Sequence, residues 1–515
     1  MTSRFLKLFK LGLIKSISER KFYLVWSLGL LLVYLSLTPG LIAGMGYMGE
    51  NLQAADQIAA HMIGWGAGQS DPAPVSWPRH GAVEMIFEVP LMLVKRILFG
   101  ADPLWADRAL ALQPVLLTAL LGAIILKWSS RLTGSLKQGY AVALSAAFAT
   151  MLWPYAYIGL ETTQSLFLAL AGYLALDYER APAWPRTFAF AAAAGVAASA
   201  KSNGLFLLPA IGFLALCYFW RDWRNPAAIF GELKRHWLKA VCLVSIIGLF
   251  LGMGVYSRSL YWSRQGQGFA TFVTRDLLAE SPSMFLLNLW SQLFSINKGL
   301  IFFAPIAVIG LFASRRAYRA APQLAVFAWL VLAGTAGSLS LLVPWEDEVW
   351  GPRYLHSAVA PLIVCLAGAR RGRSLSLRRD WPLGGLAALG LAVSLLGSVF
   401  PYGALHRAAM EAGCSTLENL LYDPRFNHPH FNLKLLRIWL SSGDEQWPAP
   451  PHWWFERPPD APPWRAVNLR DHARPHSALL LLFKVSRLAK CLAVVLLAGL
   501  ALLAWSGLMA KELEE

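Results

Sequence analysis

Pro344-Trp345-Glu346-Asp347-Glu348-Val349-Trp350-Gly351-Pro352-Arg353-Tyr354 is a short charged break between two long apolar runs, residues 323–343 and 353–369. Two such runs joined through so few residues decide the fold class, because each approaches the ~20 residues that cross a bilayer as a helix. The break carries three acids, two tryptophans and an arginine, more chemistry than a polar turn between spans requires. Gly351-Pro352 ends one conformation and opens a helix, proline being tolerated in a first turn. Such a start leaves backbone N–H groups and the positive end of the helix dipole beside Arg353, a place suited to a phosphate. A solvated loop with a stop signal is the plainer reading of the same residues.

Outward from this break, apolar runs recur along most of the 515 residues. With 56% hydrophobic and only 15% charged residues and a mean hydropathy of +0.47, the composition is that of an integral membrane protein rather than a soluble domain. Spans are expected at 22–44, 107–126, 139–157, 162–178, 187–202, 204–220, 240–257, 299–313, 323–343, 353–369, 382–399 and 491–509. The fold class is thus all-α and polytopic, with about twelve transmembrane helices by the length criterion. The first run lacks a small-residue cleavage site and reads as a retained anchor.

A formal net charge of +16 raises the question of a nucleic-acid partner. The basic residues answer it by where they fall. Lys127, Arg131 and Lys137, then Arg180 and Arg186, then Arg221 to Lys239, then Arg315, Arg316 and Arg319, then Arg370 to Arg379 occupy alternate short loops. Positive-inside bias puts those loops, and the N-terminus, in the cytoplasm. The charge is topology, and no nucleic-acid partner is expected. The five cysteines form no disulfide framework or CxxC pair, and His61, His80 and His356 have no metal-ligand spacing; no cofactor is expected, and a divalent metal finds no support in these residues.

Four regions follow. Residues 1–21 alternate Phe5, Leu6, Phe9, Leu13 and Ile17 with Lys7, Lys10, Lys15, Arg20 and Lys21, an amphipathic helix lying on the cytoplasmic surface. Residues 22–400 form the transmembrane core, with a long outer loop at 45–105 whose helices fall around 50–63 and 83–99. Residues 401–476 make a Pro- and Trp-rich outer cap. Residues 477–515 hold an interfacial helix at 477–490, the last span and a cytoplasmic tail. The long connections share the outer face, which is where function is expected.

Three cations break the rule on that outer side: Lys201 in Ala200-Lys201-Ser202-Asn203-Gly204, Lys298 in Asn297-Lys298-Gly299, and Arg353. The topology puts all three at one depth. Boundary charges are costly, so they are paired, functional, or snorkelling to headgroups. Together they suit the phosphate of a lipid-linked substrate, arginine as a fork and the lysines as point charges. Among the acids, Glu50 follows the first span and suits a general base. Asp56 diverges from it on a helix and reads more readily as an ordinary solvated helix residue than as its partner. Glu161 opens a span, where dipole stabilisation alone would account for it.

These residues carry a resemblance. The chain resembles the GT-C superfamily of polytopic glycosyltransferases, especially bacterial relatives of the protein O-mannosyltransferases and the aminoarabinose lipid A transferases. The resemblance covers most of residues 22–400. It rests on a large first outer loop with an early acid, Arg79-His80-Gly81, Trp153-Pro154-Tyr155, Glu161-Thr162, Lys201-Ser202-Asn203-Gly204-Leu205, Lys298-Gly299-Leu300 and Trp350-Gly351-Pro352-Arg353-Tyr354-Leu355. It implies inverting transfer of a sugar from a polyprenyl-phosphate donor to a lipid, glycan or protein acceptor of the cell envelope, at the outer face of the plasma membrane. The family's first-loop acid falls on Glu50, where the usual adjacent acidic pair is replaced by Gly49-Glu50. Catalytic candidates are Glu50 and Asp56; Lys201, Lys298 and Arg353 bind the donor phosphate. His80, Glu161, Glu346, Asp347, Glu348 and Tyr354 contact substrate.

Two other classes compete. A transporter or lipid flippase also carries charges at membrane depth, but shows internal repeats and midplane ionisable residues. Here the halves do not repeat and the polar chemistry gathers at one face. A non-catalytic subunit of an envelope pathway is the other alternative, which the missing second acid leaves open.

Overall fold

The computed structural model describes residues 2–37, 55–60, 62, 82–100, 103–158, 161–177, 182–220, 225, 227–264, 281–341, 351–372, 377–399, 427–442 and 487–513. Glu50, His80, Glu346, Asp347, Glu348 and most of the 401–476 cap lie outside them. Among the described residues there is no strand. The helices are α1 (Thr2–Leu37), α2 (Ala82–Phe99), α3 (Pro103–Thr133), α4 (Leu136–Phe148), α5 (Leu152–Ile158), α6 (Thr162–Leu176), α7 (Trp184–Ser199), α8 (Leu208–Phe219), α9 (Ala227–Arg235) and α10 (Trp237–Arg264). They continue with α11 (Pro282–Phe294), α12 (Leu300–Phe303), α13 (Pro305–Ala320), α14 (Pro322–Ser340), α15 (His356–Ala369), α16 (Leu377–Val399), α17 (His428–Ser442) and α18 (Arg487–Glu512).

The protein is an all-α polytopic membrane protein. Leu112–Thr133, Trp237–Tyr261, Pro322–Ser340, Asp380–Ser398 and Val494–Lys511 are long and apolar enough to cross a bilayer, and Thr162–Leu176, Asn203–Phe219 and Arg353–Ala369 are shorter apolar segments. Every expected span is mostly helical in its described part.

The differences lie at the breaks. Residues 2–37 form one helix rather than a surface helix followed by a span, since no proline interrupts them. At 1.5 Å per residue that helix is ~54 Å long, well beyond a ~30 Å hydrocarbon core. The 139–157 run is split between α4 and α5, and the 299–313 run is split at Ala304, where φ −147 and ψ 60 leave the helical region ahead of Pro305. Arg487 and Lys490 belong to the last span's own helix, α18, rather than to a separate interfacial one.

Small residues bring the helices together, as in other membrane bundles where apolar side chains gain little by leaving lipid. A Cβ on Gly310 of α13 would lie 2.0 Å from the Leu362 carbonyl oxygen of α15. Ala191, Ala194, Ala197 and Ala198 of α7 are wholly buried. α1 and α18, the first and last helices, lie side by side, and the Tyr140 hydroxyl of α4 donates to the Leu503 carbonyl at 2.7 Å. At the centre, every residue of α15 from His356 to Gly368 is buried. α10, by contrast, presents Val241, Val244, Leu249 and Val255 outward.

The two ends of the bundle differ in charge. At one end Arg131 and Arg186 both contact Asp177, Lys239 donates to the Pro182 carbonyl, and Lys127 lies 5.7 Å and 5.9 Å from the ring centroids of Tyr173 and Tyr23. Basic loops distant in sequence therefore share one end with the middle of α1. Asp177 closes α6 at that end, and Glu161 caps it at the other.

Candidate functional site

Glu161 is fully buried at the N-cap of α6, with φ −115, ψ 6 and no side-chain capping bond. The carboxylate is turned away from its own helix. Lys201, the N-cap of a 3-10 turn at Ser202–Leu207, brings its Nζ to 3.3 Å from Glu161 Oε1. Arg353 brings its Nε to 3.4 Å from the same oxygen. Residues from three parts of the chain thus converge on one carboxylate at the end opposite the basic loops.

Local sequence explains how Arg353 is aimed. Gly351 has φ +63, and a Cβ there would meet the Phe303 ring at 2.7 Å. Only glycine turns at that angle against that ring. Pro352 then caps a 3-10 turn, Arg353–Leu355, and the α-helix begins at His356 rather than at Arg353 itself. The expected run of free α-helical amides beside Arg353 is therefore replaced by a tighter turn that presents its side chain. The guanidinium lies 4.4 Å from the Tyr354 ring centroid, and its Nη2 donates to the Tyr354 hydroxyl at 2.8 Å.

One turn further into the bundle, a neutral network braces the three carriers. Ser165 Oγ is 2.6 Å from His356 Nδ1 and 3.2 Å from Ser357 Oγ. Ser357 Oγ donates to Gln164 Oε1 at 3.1 Å. Gln164 Nε2 in turn donates to Asn203 Oδ1 at 3.3 Å and to the Ala197 carbonyl at 3.2 Å. These bonds tie α6 to α15 and to the 3-10 turn that carries Lys201. Ser165, Gln164 and Ser357 were not singled out from sequence, and His356 only as a failed metal ligand. The signal available was Thr162-Thr163-Gln164-Ser165, a polar run opening an apolar helix.

Several buried polar atoms around the cluster have no hydrogen-bond partner among the described residues: both Glu161 carboxylate oxygens, Lys201 Nζ, Thr163 Oγ1, Asn203 Nδ2 and His356 Nε2. The contacts to Glu161 are thus close charge pairs rather than aligned hydrogen bonds. Each is worth about 5 kcal/mol at an effective dielectric near 20. Burial costs several kcal/mol per ion. The balance is near zero, so stability does not account for placing three charges here.

Lys298 is 4% exposed at the turn between α11 and α12, its backbone N–H donating to Ser295 Oγ at 3.2 Å. Glu161 is not its ion-pair partner, so the structure joins two of the three expected cations on that carboxylate. Asp56 lies on the helical segment 55–60 and takes a two-pronged contact from Arg96 of α2, at 2.8 Å and 2.6 Å, with Lys95 at 3.5 Å. That pairing fastens the outer-loop segment to α2. No group of three or more His, Cys, Asp or Glu able to hold a metal occurs among the described residues.

No protein-family model matches the chain, and no curated protein is similar to it. Two crystal structures of ArnT from Cupriavidus metallidurans, one bound to undecaprenyl phosphate and one in the apo state, are similar to it at 16% sequence identity. Each covers 95% of this chain and 76% of its own, with a TM-score of 0.46.

Proposed function

We propose that the chain is a membrane glycosyltransferase that moves a sugar from a polyprenyl-phosphate-linked donor to an envelope acceptor at the outer face of the membrane. The observation that carries this reading is the convergence of Lys201 and Arg353 on buried Glu161, amid polar atoms with no hydrogen-bond partner among the described residues. Buried polar groups in folded proteins are normally hydrogen-bonded, so a cluster of them calls for a further partner such as water, an ion or a substrate. Lys201 and Arg353, with Lys298 arriving from the α11–α12 turn, supply the positive charge that a phosphate headgroup needs at membrane depth. Glu161 keeps Lys201 and Arg353 apart from mutual repulsion and orients both. Tyr354 stiffens the guanidinium and offers a ring to the sugar.

The rest of the chemistry comes from the outer loops. Glu50 acts as general base on the acceptor hydroxyl, so that oxygen attacks the anomeric carbon as the bond to the carrier phosphate breaks. The electron pair of that bond leaves with the phosphate, whose added charge the cations stabilise. His80 and Glu346, Asp347 and Glu348 contact sugar or acceptor, and Asp56 serves by holding the Glu50 loop to Arg96.

Transfer from a synthetic polyprenyl-phosphate sugar, measured with purified protein, tests the reading. Wild type turns over, Glu50→Gln loses turnover by 10²-fold or more as an order-of-magnitude figure for a general base, and Arg353→Ala weakens donor binding. Equal rates for wild type and Glu50→Gln would rule out Glu50 as the base. Equal donor affinity for wild type, Lys201→Ala and Arg353→Ala would sink the donor site. Mass spectrometry of envelope lipids and glycans in a deletion strain names the sugar and acceptor.

A further inference from the structure

At the opposite end of the bundle a cavity of ≈ 570 Å³ opens beside the α13–α14 turn. Arg315, Tyr318 and Ser314 line it from α13, and Trp329, Leu330 and Ala333 from α14. The lining changes character with depth. Tyr318, Ala325 and Val326 stand nearest the turn, and Arg315, next to Ser314, lies close to the level of Trp329. Ala333 lies four residues beyond Trp329, about 6 Å further along the helix. The cavity therefore holds its cation and its aromatic rings together in the outer half, beside Ala325 and Val326, and is apolar at its inner end.

The wall is fixed and the charge is available. Trp329 Nε1 donates to Ser314 Oγ at 3.0 Å, which pins the indole across the helix pair. Trp329 and Tyr318 are nonetheless 50% and 45% exposed, as aromatic residues at headgroup level are. Arg315, Arg316 and Arg319 are exposed, and none forms an ion pair among the described residues. They lie at the cationic end of the molecule, the end that faces an anionic leaflet under positive-inside bias.

We propose that this cavity binds one anionic phospholipid, with its phosphate on Arg315 and an acyl chain along Trp329, Leu330 and Ala333. A cation beside aromatic rings, with an apolar slot running deeper from them, suits a phosphate headgroup with its acyl chain. A partner helix would cover the same apolar slot but leave Arg315 without a counter-charge. The site is independent of the glycosyl-transfer reading and stands whether or not that reading does.

Native mass spectrometry of the full-length protein, titrated with phosphatidylglycerol and with phosphatidylcholine, tests it. One phosphatidylglycerol is retained in preference to phosphatidylcholine. Arg315→Gln weakens it about tenfold, the loss expected for one charge-assisted contact. Ala333→Trp keeps every charge but fills the inner end and weakens binding comparably; Ala333→Leu serves if the tryptophan variant does not fold. Arg316→Gln removes the same charge outside the cavity and leaves binding unchanged. Equal losses from Arg315→Gln and Arg316→Gln mean diffuse attraction and overturn the site. So does equal retention of the two lipids, or an Ala333 substitution without effect in a folded protein.

Discussion

Glu161 sits between two cations with all three side chains largely out of water, so neutralising it does more than remove one contact. Glu161→Gln keeps the shape and leaves Lys201 and Arg353 facing each other with no carboxylate. Breaking a buried pair from one side costs about 3–5 kcal/mol, so the variant melts well below wild type in detergent. Glu161→Gln with Lys201→Met removes the stranded charge as well and recovers part of the loss. If the double variant is as unstable as the sum of the singles, the two residues are not coupled. The sequence exposed this cluster only in part. Lys201 and Arg353 stood out because each interrupts apolar sequence at one topological depth. Glu161 was a candidate for substrate contact rather than a partner of these cations, because an acid opening a helix also has an ordinary explanation in the dipole. The Ser165–His356 bond spans 191 positions, and polar residues on separate apolar helices carry no mark of which partner they will meet.

At the scale of the element, close helix contacts and loop fastenings set what can change. Gly310→Leu must push α13 off the Leu362 carbonyl of α15, the helix beneath the site. The expected outcome is loss of monodisperse protein on size-exclusion chromatography. Gly384→Ala in α16 meets nothing within 4 Å and raises stability by up to about 1 kcal/mol through helix propensity. Equal behaviour of the two variants would contradict the packing. The pairing of Asp56 with Arg96 makes a different forecast. Asp56→Arg frees the 55–60 segment to limited proteolysis, and adding Arg96→Asp restores protection; no restoration means the pair does not hold the loop. Apolar length and basic-loop spacing placed the spans before any coordinates, because burial in lipid is a property of composition. The break at Gly351 was legible from Gly351-Pro352 itself, whereas the one at Ala304 and the Phe303 ring opposite Gly351 were not.

For the whole molecule, the polarity of the bundle organises every proposed role. α6 separates Glu161 from Asp177 by its full length of 15 residues, about 22 Å, so the Glu161 cluster and the basic loops lie at opposite ends of the bundle. The α13–α14–α15 segment makes this testable by its alternation. α13 starts at Pro305, near the Lys298 turn, and ends among Arg315, Arg316 and Arg319; α14 returns to Leu341, and α15 runs from beside Arg353 to Arg370. Positive-inside bias therefore puts Ala320 and Ala369 in the cytoplasm and Leu341 outside. Alkaline phosphatase, active only after export, is expected to be active when joined after Leu341 and inactive after Ala320 or Ala369. A fluorescent protein that folds only in the cytoplasm gives the reverse pattern at the same three junctions. The opposite result at all three would put Lys201 and Arg353 on the cytoplasmic face. The cation–carboxylate cluster would survive that result as geometry, but a donor presented at the outer leaflet could not reach it.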